Sequence, residues 1–167
     1  AVTAVHELAP YRLRWIEEPF LPDQLDAYAA LRARSPIPIA GGEHEYTRWG
    51  FWTWLQRNAL DVLQPDIYWA GGISETLKIA ALASVYSIPM IPHGHSVPAT
   101  VQLLAALPEP VAPWVEYLLK WNELLQFCFK EPVQPENGVI RVPERPGMGV
   151  ELDESKIEAE RELIWTD

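Results

Sequence analysis

Leu13-Arg14-Trp15-Ile16-Glu17 is the stretch on which the fold turns: a short, mostly apolar run, closed by a carboxylate. The same unit recurs four more times. Ile37-Pro38-Ile39-Ala40 precedes Glu43, Leu60-Asp61-Val62-Leu63 precedes Asp66, Ile88-Pro89-Met90-Ile91 precedes His93, and Trp114-Val115 runs into Glu116. Each run has the length of a strand buried on both faces. The closing residues lie at 17, 43, 66, 93 and 116, in steps of 26, 23, 27 and 23 residues. Helical spacing fills the intervals. Leu25, Tyr28 and Leu31 share a face after Asp23, a candidate cap, and Ile79, Leu82 and Tyr86 do so after Ser74. Residues 48–58, opened by Thr47, and residues 96–107, with Pro98 in the first turn, supply two further helices.

Strand and helix alternating at this length predict parallel strands joined by right-handed crossovers. In a (β/α) barrel the carboxyl ends of successive strands meet at one mouth, so five acid, base or ligand residues in five consecutive units would share a site. A doubly wound open sheet alternates in the same way, but gathers its ligands at a single switch point. The expectation is therefore an α/β chain whose residues 1–130 form a partial (β/α) TIM-type barrel of about five parallel strands with intervening helices. A closed barrel has eight strands and about 250 residues, so about three units are lacking. Ala1 reads as lying inside the end of a helix with no Met before it, which suggests a fragment. Residues 131–167 are expected to form a tail that covers part of the barrel. It holds a Pro/Gly-rich loop over 132–149 with a short strand at 139–142, then a charged helix over 154–163 that Asp153 would cap. Residues 118–129 are apolar and aromatic without strand alternation.

Composition narrows the function. Thirteen Lys and Arg against 23 Asp and Glu give a formal net charge of -10, which disfavours nucleic acid and anionic membranes and leaves room for a cation. Cys128 is the one cysteine, so no intrachain disulfide forms, and a cytoplasmic setting is expected. No apolar run reaches the roughly 18 residues of a membrane span.

At the strand ends, Glu17 and Glu43 belong to neighbouring units, and two adjacent carboxylates repel unless a proton or cation lies between them. Oxygen ligands without thiolates favour a hard divalent ion, Mg²⁺ first. The competing reading pairs Glu17 or Glu18 with an arginine. Asp66 beside His93 would fix the imidazole tautomer and make a base or acid usable near neutral pH, unless His93 merely bonds a backbone carbonyl. His95, two residues on, is easily confused with it. Glu116 could donate a hydrogen bond to a substrate carboxylate if burial raised its pKa. Gly41-Gly42 and Gly71-Gly72 read as tight turns rather than a phosphate loop, and Trp49, Phe51, Trp52 and Trp54 as helix packing rather than a sugar platform. A glycoside hydrolase using Glu17 and Glu43 would need no metal and would leave Asp66 and His93 idle.

Trp15-Ile16-Glu17-Glu18-Pro19, Gly42-Glu43-His44, Gln64-Pro65-Asp66 and Pro92-His93, in this order, resemble the carboxyl-terminal half of the barrel in the enolase superfamily, mandelate racemase subgroup. Gly41 to Thr47, Pro92-His93-Gly94 and Arg145-Pro146-Gly147-Met148-Gly149 look most like L-rhamnonate dehydratase-like acid-sugar dehydratases. The resemblance implies that Glu17 and Glu43 are Mg²⁺ ligands, that Asp66 and His93 form a hydrogen-bonded dyad, and that Glu116 contacts the substrate carboxylate. It implies removal of the proton beside a sugar-acid carboxylate, an enediolate, and loss of the β-hydroxyl as water, with His93 as base, acid or both. The family's capping domain, its first three strands, its strand-two lysine and its first aspartate ligand have no counterpart here. Weak Mg²⁺ binding, no turnover by the isolated chain and self-association into a homo-oligomer are the corresponding expectations. A racemase of the same superfamily and a non-catalytic half-barrel interaction module are the alternatives.

Overall fold

The computed structural model describes residues 1–161. Helix α1 (Val2–Leu8) leads into β1 (Ile16–Glu17), α2 (Leu25–Arg32), β2 (Ile39–Gly41), α3 (Thr47–Gln56), β3 (Val62–Leu63), α4 (Ile67–Ala70), α5 (Ile73–Val85), α6 (Val97–Ala105) and α7 (Leu119–Leu125). The three strands form one parallel sheet in the order β1-β2-β3, with Ile16 opposite Ile39, Glu17 opposite Ala40, Ala40 opposite Val62 and Gly41 opposite Leu63. This is the partial barrel anticipated, with a shorter ladder. The fourth run joins through one parallel bridge, Leu63 to Met90. Prolines shorten the ladder: Pro89 and Pro92 have no N–H, and the pairing is carried by Leu63 N to Pro89 O at 3.0 Å, Ile91 N to Leu63 O at 2.8 Å and Met90 N to Val111 O at 2.7 Å. Trp114-Val115 is not a strand, because Pro108, Pro110 and Pro113 interrupt the donors around it, and Val111 makes the contact instead.

Strand alternation sorts the side chains into two layers. Ile39, Leu63 and Met90 point to the helices and join the main core with Tyr28, Leu31, Phe51, Trp54, Leu55 and Ile79. Ala40, Val62 and Ile91 point the other way, packed with Trp15, whose ring stacks on Trp114 with centroids 6.4 Å apart. The helix side is the deeper layer, because α2, α3, α5 and α6 cover it. Of the four aromatics expected to pack, Phe51 and Trp54 are fully buried, whereas Trp49 and Trp52 are 62% and 40% exposed. They lie on the outward face of α3, so only half of that reading holds.

The helix starts differ from expectation. Gln24 rather than Asp23 precedes α2, and Gly72 rather than Ser74 precedes α5. Gly71 and Gly72, both at positive φ, turn the chain from α4 straight into α5, which places Ser74 already inside the helix. Thr47 Oγ1 does accept from Trp49 N, at 3.4 Å, and Pro98 does lie in the first turn of α6.

Helix α7 forms in the apolar and aromatic stretch that lacked strand alternation, anchored by Asn122 Nδ2 donating to Gly94 O at 2.9 Å and by Gln126, which pairs with both Val133 N and Val133 O. Val133, Ile140 and Val150 pack on Val97 and Val101 of α6. The strand expected at 139–142 is reduced to a single antiparallel bridge between Glu136 and Val139, closed by Asn137 and Gly138 at positive φ. The helix expected over 154–163 is one 3₁₀ turn, Glu154–Lys156, capped as foreseen by Asp153, and the chain then runs without regular structure to 161. Glu154 and Glu158 would repel at helical spacing, and no packed apolar face repays them. Residues 162 and 163 of that expected helix lie outside the described residues. Among the described residues, no helix is long and apolar enough to cross a membrane.

Tyr28 shows what the core demands. It is 0% exposed, its ring meets Trp54 edge-on at 4.7 Å, and its hydroxyl donates to Phe20 O at 2.7 Å. Burial, assisted by the Glu18 charge, pushes the phenol up to about 12 from its ordinary 10.0. The unfolded chain therefore releases this proton at lower pH than the folded one, so stability falls as pH rises from about 10 towards 12. We expect alkaline unfolding in that window, worth roughly 2–3 kcal/mol for a two-unit shift. In Tyr28→Phe the pH dependence should become shallower, as followed by circular dichroism in urea, with Tyr68 and Tyr117, also pushed up by burial, keeping a remainder.

Candidate functional site

The mouth is built from the turns that leave the strands. After β1 the backbone takes a positive φ of 39° at Glu18, which breaks the alternation and brings Glu18 back towards β2. Glu18 Oε1 accepts from Gly42 N at 3.3 Å and Oε2 lies 3.1 Å from His44 Nδ1. Gly42 has φ 115°, and a Cβ there would strike Phe51 at 2.7 Å. Only glycine permits the kink that carries the chain from β2 into Glu43.

Glu43 Oε2 faces His93 Nε2 at 3.3 Å, and its other oxygen lies 3.7 Å from His44 Nε2. His93 Nδ1 is 3.1 Å from Asp66 Oδ2, and His95 Nδ1 approaches the same oxygen at 2.9 Å. Asp66 Oδ1 accepts from Tyr68 N at 2.8 Å and Trp69 N at 3.3 Å, capping α4. Glu18, His44, Glu43, His93, Asp66 and His95 thus form one unbroken line of contacts. Glu116 joins from the next unit: its Oε2 accepts from Gly94 N at 2.7 Å. Any side chain on residue 94 would meet the Glu116 backbone at 2.9 Å.

Of the residues singled out in the sequence, Asp66, His93 and Glu43 are in direct contact, and Glu116 is tied to them through Gly94. Glu17 is exposed and makes no ion pair among the described residues, yet its charge is felt at both Glu43 and Glu116. Glu18 pairs with a histidine rather than with an arginine. His95 shares the Asp66 oxygen with His93, a partnership that sequence reading left out. Gln64, one residue beyond β3, was also passed over. It is 0% exposed, and neither amide atom finds a partner among the described residues.

The electrostatics follow from crowded carboxylates. Burial and the charges of Glu18 and Glu17 push Glu43 up, against the pull of His93 and His44. Burial first, then Glu17 and Glu43, push Glu116 up despite the Gly94 hydrogen bond. Asp66 goes down: burial opposes its charge, but hydrogen bonds from His93, His95 and Tyr68 N prevail. For His93, burial acts to lower the pKa and is overcome by the Asp66 hydrogen bond and the nearby charges of Glu43 and Glu116, so it rises.

This donor set suits a hard divalent cation. Glu18, Glu43 and His44 each offer a ligand atom within 4.8 Å of the others, and among the described residues the ion pairs reaching Glu18 and Glu43 come from imidazoles alone. A cation would relieve the mutual repulsion that raises Glu43.

Residues 1–156 match the Enolase C-terminal domain-like family. A D-galactarolactone cycloisomerase of Agrobacterium fabrum is 40% identical over 163 residues, which cover 92% of this chain and 43% of that protein. An L-rhamnonate dehydratase of Saccharopolyspora erythraea is 36% identical over 162 residues, covering 92% of this chain and 40% of that protein. The crystal structure of an L-talarate dehydratase from Polaromonas sp. JS666, complexed with Mg and L-glucarate, superposes with a TM-score of 0.82 at 33% identity, covering 92% of this chain and 41% of that one. The chain therefore spans about two fifths of the length of the relatives it matches.

Asp66→Asn separates two tasks. The asparagine oxygen can still cap α4, but the charge facing the two imidazoles is gone. We expect the His93 pKa of the metal-free protein to fall, read from its imidazole resonances in an NMR pH titration. Asp66→Ala removes the cap as well and should cost about 1 kcal/mol more, measured as a lowered urea midpoint.

Proposed function

The chain belongs to the Enolase C-terminal domain-like family, and from that membership we propose that it supplies the carboxyl-terminal strand-end groups of a Mg²⁺-dependent acid-sugar dehydratase. The observation that carries the reading is the Asp66–His93–Glu43 alignment, with 3.1 Å on one side of the imidazole and 3.3 Å on the other. It joins a proton-carrying group directly to a candidate metal ligand. The names of the relatives support the substrate class.

In this reaction the proton beside the substrate carboxylate is removed and the β-hydroxyl leaves as water. His93 Nδ1–H donates to Asp66, which leaves Nε2 as the atom that exchanges protons with substrate. Accepting the α-proton at Nε2 makes an imidazolium, which the Asp66 hydrogen bond and the charges of Glu43 and Glu116 favour, and the imidazolium delivers that proton onto the departing hydroxyl. Burial pushes Glu116 up, which favours the protonated form that would donate a hydrogen bond to the substrate carboxylate. Glu17 and Glu43 are the proposed metal ligands, and Glu18 and His44 offer ligand atoms beside Glu43. Mg²⁺, when bound, supplies fixed positive charge to the developing carboxylate dianion. A cycloisomerase or racemase would begin with the same proton removal, and product analysis separates them: only dehydration lowers the mass of the substrate by one water.

At its natural length and with Mg²⁺, the protein should exchange the α-proton of a sugar acid in D₂O and release the keto acid. His93→Asn should lower that rate by about 10²- to 10⁴-fold, and full retention would remove His93 from the mechanism. The 167 residues on their own should bind Mg²⁺ weakly, with a Kd on the order of 1 mM. Tight binding in isothermal titration calorimetry would contradict this.

A further inference from the structure

Beside the line of imidazoles and carboxylates stands a row of aromatic rings that folding does not require. Tyr46 and Trp69 are parallel to within 7°, with centroids 6.4 Å apart, and the His44 ring meets Trp69 edge-on at 5.9 Å. The chain buries Tyr28, Phe51 and Trp54 completely, yet leaves Tyr46 and Trp69 55% and 46% exposed. Trp69 lines the same cleft as Glu43, His44, Asp66, His93 and His95. Its backbone is set by Asp66 Oδ1, which accepts from both Tyr68 N and Trp69 N. The carboxylate that orients His93 therefore also fixes the turn from which the indole projects.

A large ring held half-solvated in a charged cleft calls for an apolar ligand surface. The carbon chain of a sugar acid has one, because its C–H groups can rest on an aromatic face while its hydroxyls bond to imidazoles and carboxylates around it. We propose that Trp69, backed by Tyr46, selects the length of the acid by stacking against the C–H face of the polyhydroxy chain. The inference rests on the dehydratase reading and adds the residue that chooses among its substrates. A three-carbon hydroxy acid carries one carbon beyond the reacting one and so has almost no such face to offer the ring.

The test uses the protein at its natural length with Mg²⁺, comparing a six-carbon aldonate with glycerate. Binding is read by calorimetry and turnover by α-proton exchange. Trp69→Ala should raise Kd and KM for the aldonate about tenfold, leaving kcat and both constants for glycerate unchanged. Trp69→Phe should restore most of the loss, and Tyr46→Ala should shift the aldonate constants in the same direction by less. If Trp69→Ala leaves the aldonate constants unaltered in an otherwise active protein, the inference falls and the dehydratase reading stands. If the wild type exchanges the α-proton of neither acid, the dehydratase reading falls and takes the inference with it. Should Trp69→Ala lose both acids together, the exposed Tyr46 decides: discrimination by chain length in Tyr46→Ala upholds the inference, and its absence overturns it.

Discussion

Asp66 is 2% exposed and has both carboxylate oxygens committed, and the other groups at the mouth take their places from it. One oxygen caps α4; the other receives two imidazoles. A buried carboxylate without partners would be costly enough to protonate or to disrupt its surroundings. Here two imidazoles and two backbone amides hold it ionised, which makes the turn after β3 rigid. Because the turn is rigid, His93 has a fixed tautomer and a fixed distance to Glu43. Loss of that one interaction would loosen the imidazole and the aromatic turn together.

The second constraint is the opposite imbalance. Around Asp66, donors outnumber acceptors; around Glu43, negative charges outnumber everything else. The charges of Glu18 and Glu17 reach Glu43, and among the described residues the ion pairs that answer Glu18 and Glu43 come from histidines. The protein tolerates this because the charges sit at strand ends, partly in water, rather than within the packed layer. That repulsion is what a divalent ion would relieve.

The sheet makes both arrangements possible at modest expense. Its helix side is packed with Tyr28, Phe51, Trp54, Leu63 and Met90, and this layer holds β1, β2 and β3 in register. The opposite side is thin: Ala40, Val62, Ile91 and Trp15, with Trp114 against the last. Gln64 lies in the same region with its amide unpaired among the described residues. A group buried in this way forgoes about 1–3 kcal/mol, so the rigidity of the mouth derives from the helix side.

The recurrence of polar closers at 17, 43, 66, 93 and 116 was enough, without coordinates, to establish a parallel strand-helix repeat and a shared mouth, because strand length, crossover length and side-chain alternation are local properties. Asp66, His93, Glu43 and Glu116 could be named for the same reason. What local pattern could not reveal was the exact ladder, since prolines at 89, 92, 108, 110 and 113 withhold donors in ways that depend on which neighbour needs them. Nor could it set Glu18 against His44, which turns on a positive φ at Glu18, or assign His95 to Asp66, or leave Trp49 and Trp52 outside the core while burying Trp54. Those outcomes depend on distances between residues more than twenty positions apart or on which face of a helix meets the sheet, and such distances exist only once the chain has folded.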